Sequence, residues 1–265
     1  MFTIILIFVV RLPNRRNKKK IVKESSYLYM IKEKVMKYTK SLLLASFAAT
    51  ILFGSCAQKE RLKTGDLVFV KIPVEYNLEE DSMAQAIGEA TSGGTEMNVI
   101  HVAILEMEDG KPWIIDATIS HNVDRHPLDT FLKDFTLKDG SLPEFEVKRL
   151  KDRSLQKNAG QFVLNARQYL GQGYDLYFKS GNGMMYCSEL VQNSYLRPDG
   201  SFIFPSLKMN FKDGNGEMPT YWEQLFERLG EKVPQGEDGT NPSQMSLDPA
   251  LRTVKAAFPP EDSGR

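Results

Sequence analysis

Cys187 opens the stretch CSELVQNSYL, whose apolar spacing predicts a helix with Leu190, Val191 and Ser194 facing inward. A cysteine at a helix N-terminus lies beside backbone N–H groups that have no intrahelical acceptor. It also sits at the positive end of the dipole, and both features favour thiolate over thiol. The same N–H groups can hold the oxyanion of a tetrahedral intermediate. One placement therefore supplies a nucleophile and a means of stabilising its transition state. That chemistry needs a base, and His101 in VIHVAILEMEDGKPWIIDAT is the candidate. This stretch reads as two β-runs separated by Glu108, Asp109 and Gly110, which predicts a hairpin, with Asp116 on the second run as the candidate third member.

Three registers are open. A loop centred between Glu108 and Asp109 sets His101 and Asp116 directly opposite each other. A two-residue turn at Asp109 and Gly110 makes them diagonal neighbours on one face. A loop centred on Asp109 alone puts them on opposite faces. The other histidines, His121 and His126, lie in less ordered surroundings and fit the role of base worse. Glu189, two residues after the cysteine, is expected to point away along the helix and support its dipole. One thiol and three scattered histidines show no metal-ligand spacing, so neither a metal nor another cofactor is expected.

Several further elements must position these groups. RLKTGDLVFVKI at 61–72 predicts a strand, with Gly65 and Asp66 as a turn before the apolar run Leu67 to Val70. DSMAQAIGEATSGG carries Met83, Ile87 and Ala90 at helical spacing and stops at paired glycines. NVDRHPLDTFLKDF predicts a short strand feeding a helix near Leu128, and EFEVKRL at 144–150 is another strand. LQKNAGQFVLNARQYLG predicts one amphipathic helix, with Leu155, Ala159, Phe162, Val163, Ala166 and Leu170 on a face and Gly171 as its stop. YDLYF at 174–178 is a pocket wall or core edge. The last forty residues, rich in Pro, Gly and Asp, predict a wrapped tail with one helix near Tyr221 to Leu229.

The N-terminal part has a different character. MKYTKSLLLASFAATILFGSC, from Met36 to Cys56, has a basic start and a short apolar segment, the pattern of a secretory signal. Gly54 and Ser55 before the cysteine resemble the lipobox of a bacterial lipoprotein, which implies lipidation of Cys56 and a chain anchored in the cell envelope. Residues 1–35 offer only nine largely apolar residues before a basic cluster and read as an over-extended start outside the fold. The first 55 residues hold 11 of the 34 basic and 2 of the 34 acidic residues, so the 210 residues from Cys56 carry a net charge of −9. Such an acidic domain excludes nucleic acid as an expected partner. Without internal repeats or long low-complexity tracts, residues 56–265 are expected to form a single domain.

GDLVFV at 65–70 and HVAIL at 101–105 resemble the GDLVFF and HVGIY segments of NlpC/P60 cysteine peptidases, which are papain-like cell-wall enzymes. In that family the cysteine precedes the GDL strand, whereas here the candidate lies 121 residues after Asp66. The order histidine, acid, YCSEL resembles the circularly permuted branch, the YiiX/YebB-like permuted papain-fold amidases. The likeness extends through IGEAT, VDRHPLDTFL, GQGYDLYF and GTNPSQMSLDPALRTV, over residues 62–255.

The resemblance implies an α+β, circularly permuted papain-like fold, with an antiparallel sheet packed against helices that include the one starting at the cysteine. It implies Cys187 as nucleophile, His101 as general base and then acid, and Asp116 as the group orienting the imidazole. This third place holds various polar residues in the family, often Glu, and Asp116 reaches less far. Tyr186, Tyr174 and Asp175 match segments that line the site, which makes them candidate substrate-binding residues. The implied substrates are cell-wall stem peptides or small amino-acid amides.

Two rival functions remain on sequence grounds. One is lipid acyl chemistry of the lecithin:retinol acyltransferase type, although the Asn-Cys-Glu-His-like stretch of those enzymes is absent from YCSEL. The other is a binding protein that keeps the fold without turnover, with its pocket sealed by residues 202–220.

Overall fold

The chain turns at Gly65, and the apolar run after it is buried from end to end. The computed structural model describes residues 60–74, 76, 82–91 and 97–260. Residues 1–35, the signal-like stretch 36–55, Cys56, and the paired glycines expected to stop the first helix lie outside the described residues. The elements in chain order are β1 (Asp66–Pro73), α1 (Met83–Thr91), β2 (Met97–Glu108), β3 (Lys111–Thr118), β4 (Asn122–Pro127), α2 (Leu128–Asp134) and β5 (Glu144–Leu150). They continue as α3 (Arg153–Gln156), α4 (Ala159–Arg167), α5 (Cys187–Ser194), β6 (Leu207–Lys208), α6 (Thr220–Leu229), β7 (Asp238–Gly239), α7 (Pro242–Ser246) and β8 (Leu251–Thr253).

Six of the strands form one sheet in the order β4, β3, β2, β1, β5, β8, antiparallel at every pairing. The β2–β3 hairpin takes the second of the three registers. Glu108 pairs with Lys111, and Asp109 (φ 50°) and Gly110 (φ 77°) make the turn. Two successive left-handed residues give the turn twist that suits a two-residue hairpin. Val70 pairs with His101 while Lys71 pairs with Val99, so Ile100 is an extra residue, and this β-bulge lies immediately beside His101.

Both faces of the sheet are covered. On one, Leu67, Phe69, Val102, Ile104 and Ile115 pack with Phe162, Val163 and Ala166 of α4 and with Leu190 and Val191 of α5. On the other, Val68, Val70, Ala103, Leu105 and Ile114 meet Leu128 and Phe131 of α2. A third cluster joins Ala86 of α1 to Trp222, Leu225 and Phe226 of α6, and includes Tyr186. The Phe162 and Tyr195 rings stack at 4.5 Å, and the Tyr195 hydroxyl donates to the Gly65 carbonyl at 3.1 Å, tying the end of α5 to the start of β1.

The helix expected across 155–170 is two shorter ones. Asp152 caps α3 by accepting from the Ser154 N–H, and the chain restarts at Asn158 before α4. Leu170 falls past the end of α4 and is 41% exposed. Gly65 (φ 81°) is where α4 approaches most closely, since a Cβ there would lie 2.7 Å from the Ala159 Cβ. Asp66 is more than the turn residue the sequence suggests. It is fully buried, and its oxygens accept from Arg149 Nε at 2.6 Å and from an Arg149 terminal nitrogen at 2.8 Å, joining β1 to β5. Replacing Arg149 by Met strands this carboxylate, and the expected loss is about 3–5 kcal/mol of stability, read as a lower urea midpoint.

Candidate active site

Seven of the eight residues of α5 are buried, and Cys187 is its first residue, 4% exposed. The first helical bond runs from the Leu190 N–H to the Tyr186 carbonyl, so the N–H groups of Cys187, Ser188 and Glu189 precede the ladder. The residue before the cysteine is fixed by its side chain. The Tyr186 hydroxyl accepts from the Thr240 N–H at 3.0 Å, and the Thr240 hydroxyl bonds Ser188 Oγ at 3.0 Å. Burial, outweighing the Thr240 contact, pushes the Tyr186 phenol up to about 12.

The hairpin supplies the partner groups. Its register, extended, sets Ala103 opposite Asp116 and makes His101 the diagonal neighbour on the same face. His101 Nε2 lies 2.7 Å from Asp116 Oδ2, both side chains buried, with the Phe135 ring tilted against the imidazole at a centroid distance of 4.8 Å. This leaves Nδ1 as the ring nitrogen available to a thiol. Burial alone lowers the His101 pKa, but the adjacent Cys187 sulfur, as charge and as hydrogen-bond partner, and the Asp116 carboxylate together raise it to about 10. The structure therefore brings Cys187, His101 and Asp116 into one connected group. Such a group can deliver a sulfur nucleophile and a proton to opposite sides of a carbonyl-containing bond.

Beside Cys187 is a small cavity of about 40 Å³, walled by Tyr174, Phe178, Tyr186, Met209, Phe211 and Trp222. Tyr174 and Tyr186 thus stand where the sequence expects contact residues. Asp175 does not. It is fully buried, and its two oxygens accept from the Tyr177 and Lys179 N–H groups at 2.8 Å, holding its own loop. Met209 and Phe211 come from the 202–220 segment, which forms part of the wall.

The model of the permuted papain-like amidase family YaeF/YiiX, C92, matches residues 61–255. The chain belongs to this family. A crystal structure described as metalloprotein yiiX from Escherichia coli O157:H7 shares the fold, with a TM-score of 0.57 and 24% identity over 76% of this chain and 100% of that one. No curated protein matches. The family and this likeness bear out the permuted papain-like, α+β reading. Among the described residues no group of three or more His, Cys, Asp or Glu side chains is placed to hold an ion.

Two groups of this C92-family site escape the sequence reading. His126, assigned to less ordered surroundings, is a buried residue of β4, paired with Ile114 of β3. The stretch NVDRHP gives little signal for this, because His126 shares its strand face with the polar Asp124. Glu189, expected to point away along the helix as support for its dipole, is 1% exposed. Neither carboxylate oxygen has a partner at hydrogen-bond geometry among the described residues, although Ser180 and backbone groups of Tyr186 and Gly181 lie near enough to lower its pKa. Burial, reinforced by the Asp175 carboxylate, wins and raises Glu189 to about 7.

A carboxyl whose pKa is raised on folding binds more protons folded than unfolded, so stability falls as pH rises from 4.5 through 7. The full shift corresponds to on the order of 3 kcal/mol. Glu189→Gln is expected to flatten the pH dependence of Tm between pH 5 and 8 and to leave the variant more stable than wild type at pH 8.

Proposed function

We propose that this protein is a cysteine amidohydrolase that cleaves amide bonds of small peptides or amino-acid amides through an acyl-enzyme on Cys187. The observation that carries the reading is His101 held between the Cys187 sulfur and the Asp116 carboxylate, both of which favour its charged form. The sulfur attacks the amide carbon and forms the S–C bond, while the N–H groups at the start of α5 receive the developing oxyanion. His101 gives its proton to the leaving nitrogen as the C–N bond breaks. It then takes a proton from the incoming water, whose oxygen displaces the sulfur, and Asp116 keeps the imidazole oriented throughout. Cys56 as a lipid anchor, and with it a place in a bacterial envelope facing cell-wall peptides, is part of this proposal and rests on the pattern of residues 36–56. Among the described residues no helix is long and apolar enough to cross a membrane.

A second reading, acyl hydrolysis or transfer on a lipid ester, is favoured by one observation, the aromatic and aliphatic walls of the cavity beside Cys187. The substrates separate the two. Under the amidase reading, small peptide amides turn over and long-chain esters do not.

The nucleophile is tested without knowing the substrate, by iodoacetamide labelling of Cys187 followed by peptide mass spectrometry. A thiolate–imidazolium pair is expected to label at a nearly constant rate from pH 6.5 to 9. An isolated thiol instead gains about tenfold per pH unit below its pKa. His101→Ala is expected to restore that steep dependence and slow labelling at pH 6.5 by at least about tenfold. Cys187→Ala is expected to lower turnover of any true substrate by at least about 10³-fold. Labelling that ignores the His101 substitution would sink the reading.

A further inference from the structure

The Asp116 carboxylate lies between two imidazoles. Oδ2 is 2.7 Å from His101 Nε2, and Oδ1 is 3.6 Å from His126 Nε2. Asp116 Oδ1 and both ring nitrogens of His126 are buried and, among the described residues, lack a hydrogen-bond partner. A buried carboxylate oxygen and a buried imidazole nitrogen that face each other unsatisfied are each costly alone and satisfy each other when they close. The remaining gap is about half an ångström beyond a hydrogen bond, and such contacts in a site without substrate are often long.

The surroundings of His126 are charged in a consistent sense. Its Nδ1 lies 3.7 Å from Asp124 Oδ2 on its own strand. The His121 ring is 5.8 Å away, and His121 Nε2 lies 3.0 Å from Asp134 Oδ2 of α2. His101 reaches the group from β2 and Asp116 from β3, while Phe131 of α2 packs against both His101 and His126. All three histidines of the chain are thus joined by a succession of contacts, each with a carboxylate beside it.

We infer that His126 is a positioning residue of this site, its Nε2–H holding Asp116 Oδ1 so that Oδ2 stays on His101. Without it the carboxylate has one fixed oxygen and one buried, unpaired oxygen, and is free to rotate or to take up a proton. Either change weakens the hold on the His101 imidazolium and so the charge separation with Cys187. A Glu at the third place would span more of the distance unaided. The shorter Asp116 depends on a second group to fix its rotation.

The inference rests on His101 acting as the base, and iodoacetamide labelling of Cys187 in the full chain tests it. His126→Leu removes the donor, while His126→Gln carries an amide N–H to nearly the place of Nε2. The expected result is that His126→Leu slows labelling at pH 6.5 by about tenfold and steepens the pH profile. His126→Gln is expected to stay within about threefold of wild type. In an Asp116→Asn background, His126→Leu should add nothing, because the two act as one unit.

Should His126→Leu fail to fold, His126→Asn, whose N–H falls short of Asp116, takes its place with the same expected loss. Labelling of the Leu or Asn variant at the wild-type rate overturns the inference. So does an undiminished effect in the Asp116→Asn background, or equal loss in the Gln variant together with a matching fall in Tm. Sensitivity to His101→Ala alongside indifference to His126 removes only this inference. Indifference to His101→Ala removes the hydrolase reading beneath it.

Discussion

The side-chain period of a β-strand is two, and the loop between β2 and β3 therefore decides whether Asp116 meets His101 at all. With Asp109 and Gly110 both left-handed, the turn contains two residues and both groups fall on one face. One residue more or fewer would send Asp116 to the opposite face and leave His101 without its carboxylate. The bulge at Ile100 adds a local adjustment on the other edge of β2, next to the imidazole. The position of the base is thus set by backbone geometry within about twenty residues, and the helix bearing the cysteine has only to dock against it.

The strands and most helices were legible because each carries its own pattern. Leu67 to Val70, the two hairpin runs and EFEVKRL are apolar enough to demand burial, while Pro127 before Leu128 and Gly230 after Leu229 bound their helices. Family segments then made the order of histidine, acid and cysteine readable. What was hidden depends on partners far along the chain. Asp66 looks like a turn residue until Arg149, 83 positions later, is brought onto it. Glu189 reads as a first-turn charge supporting the helix dipole, yet it is buried beside Asp175, Ser180 and Gly181 of the loop after Tyr174. The break at Asn158 does not interrupt the apolar period, so a single helix and two shorter ones look alike in the sequence.

Charge inside this domain is handled in two ways. Asp66, Asp175 and Asp116 each have at least one firm donor, and they tie strands or loops together. Glu189 has no partner at hydrogen-bond geometry among the described residues, and burial raises its pKa instead.

Circular permutation has a temporal side. The acid–base half comes from strands only 15 positions apart and joined by a two-residue turn, so it can assemble while the chain is still being made. The cysteine arrives some 86 positions after His101, and its helix finds its place through the Tyr195 contact to Gly65, across 130 positions. Contacts at that separation form late. A nascent or partly folded chain therefore lacks the contact between Cys187 and His101, which comes into being only when this long-range closure is made.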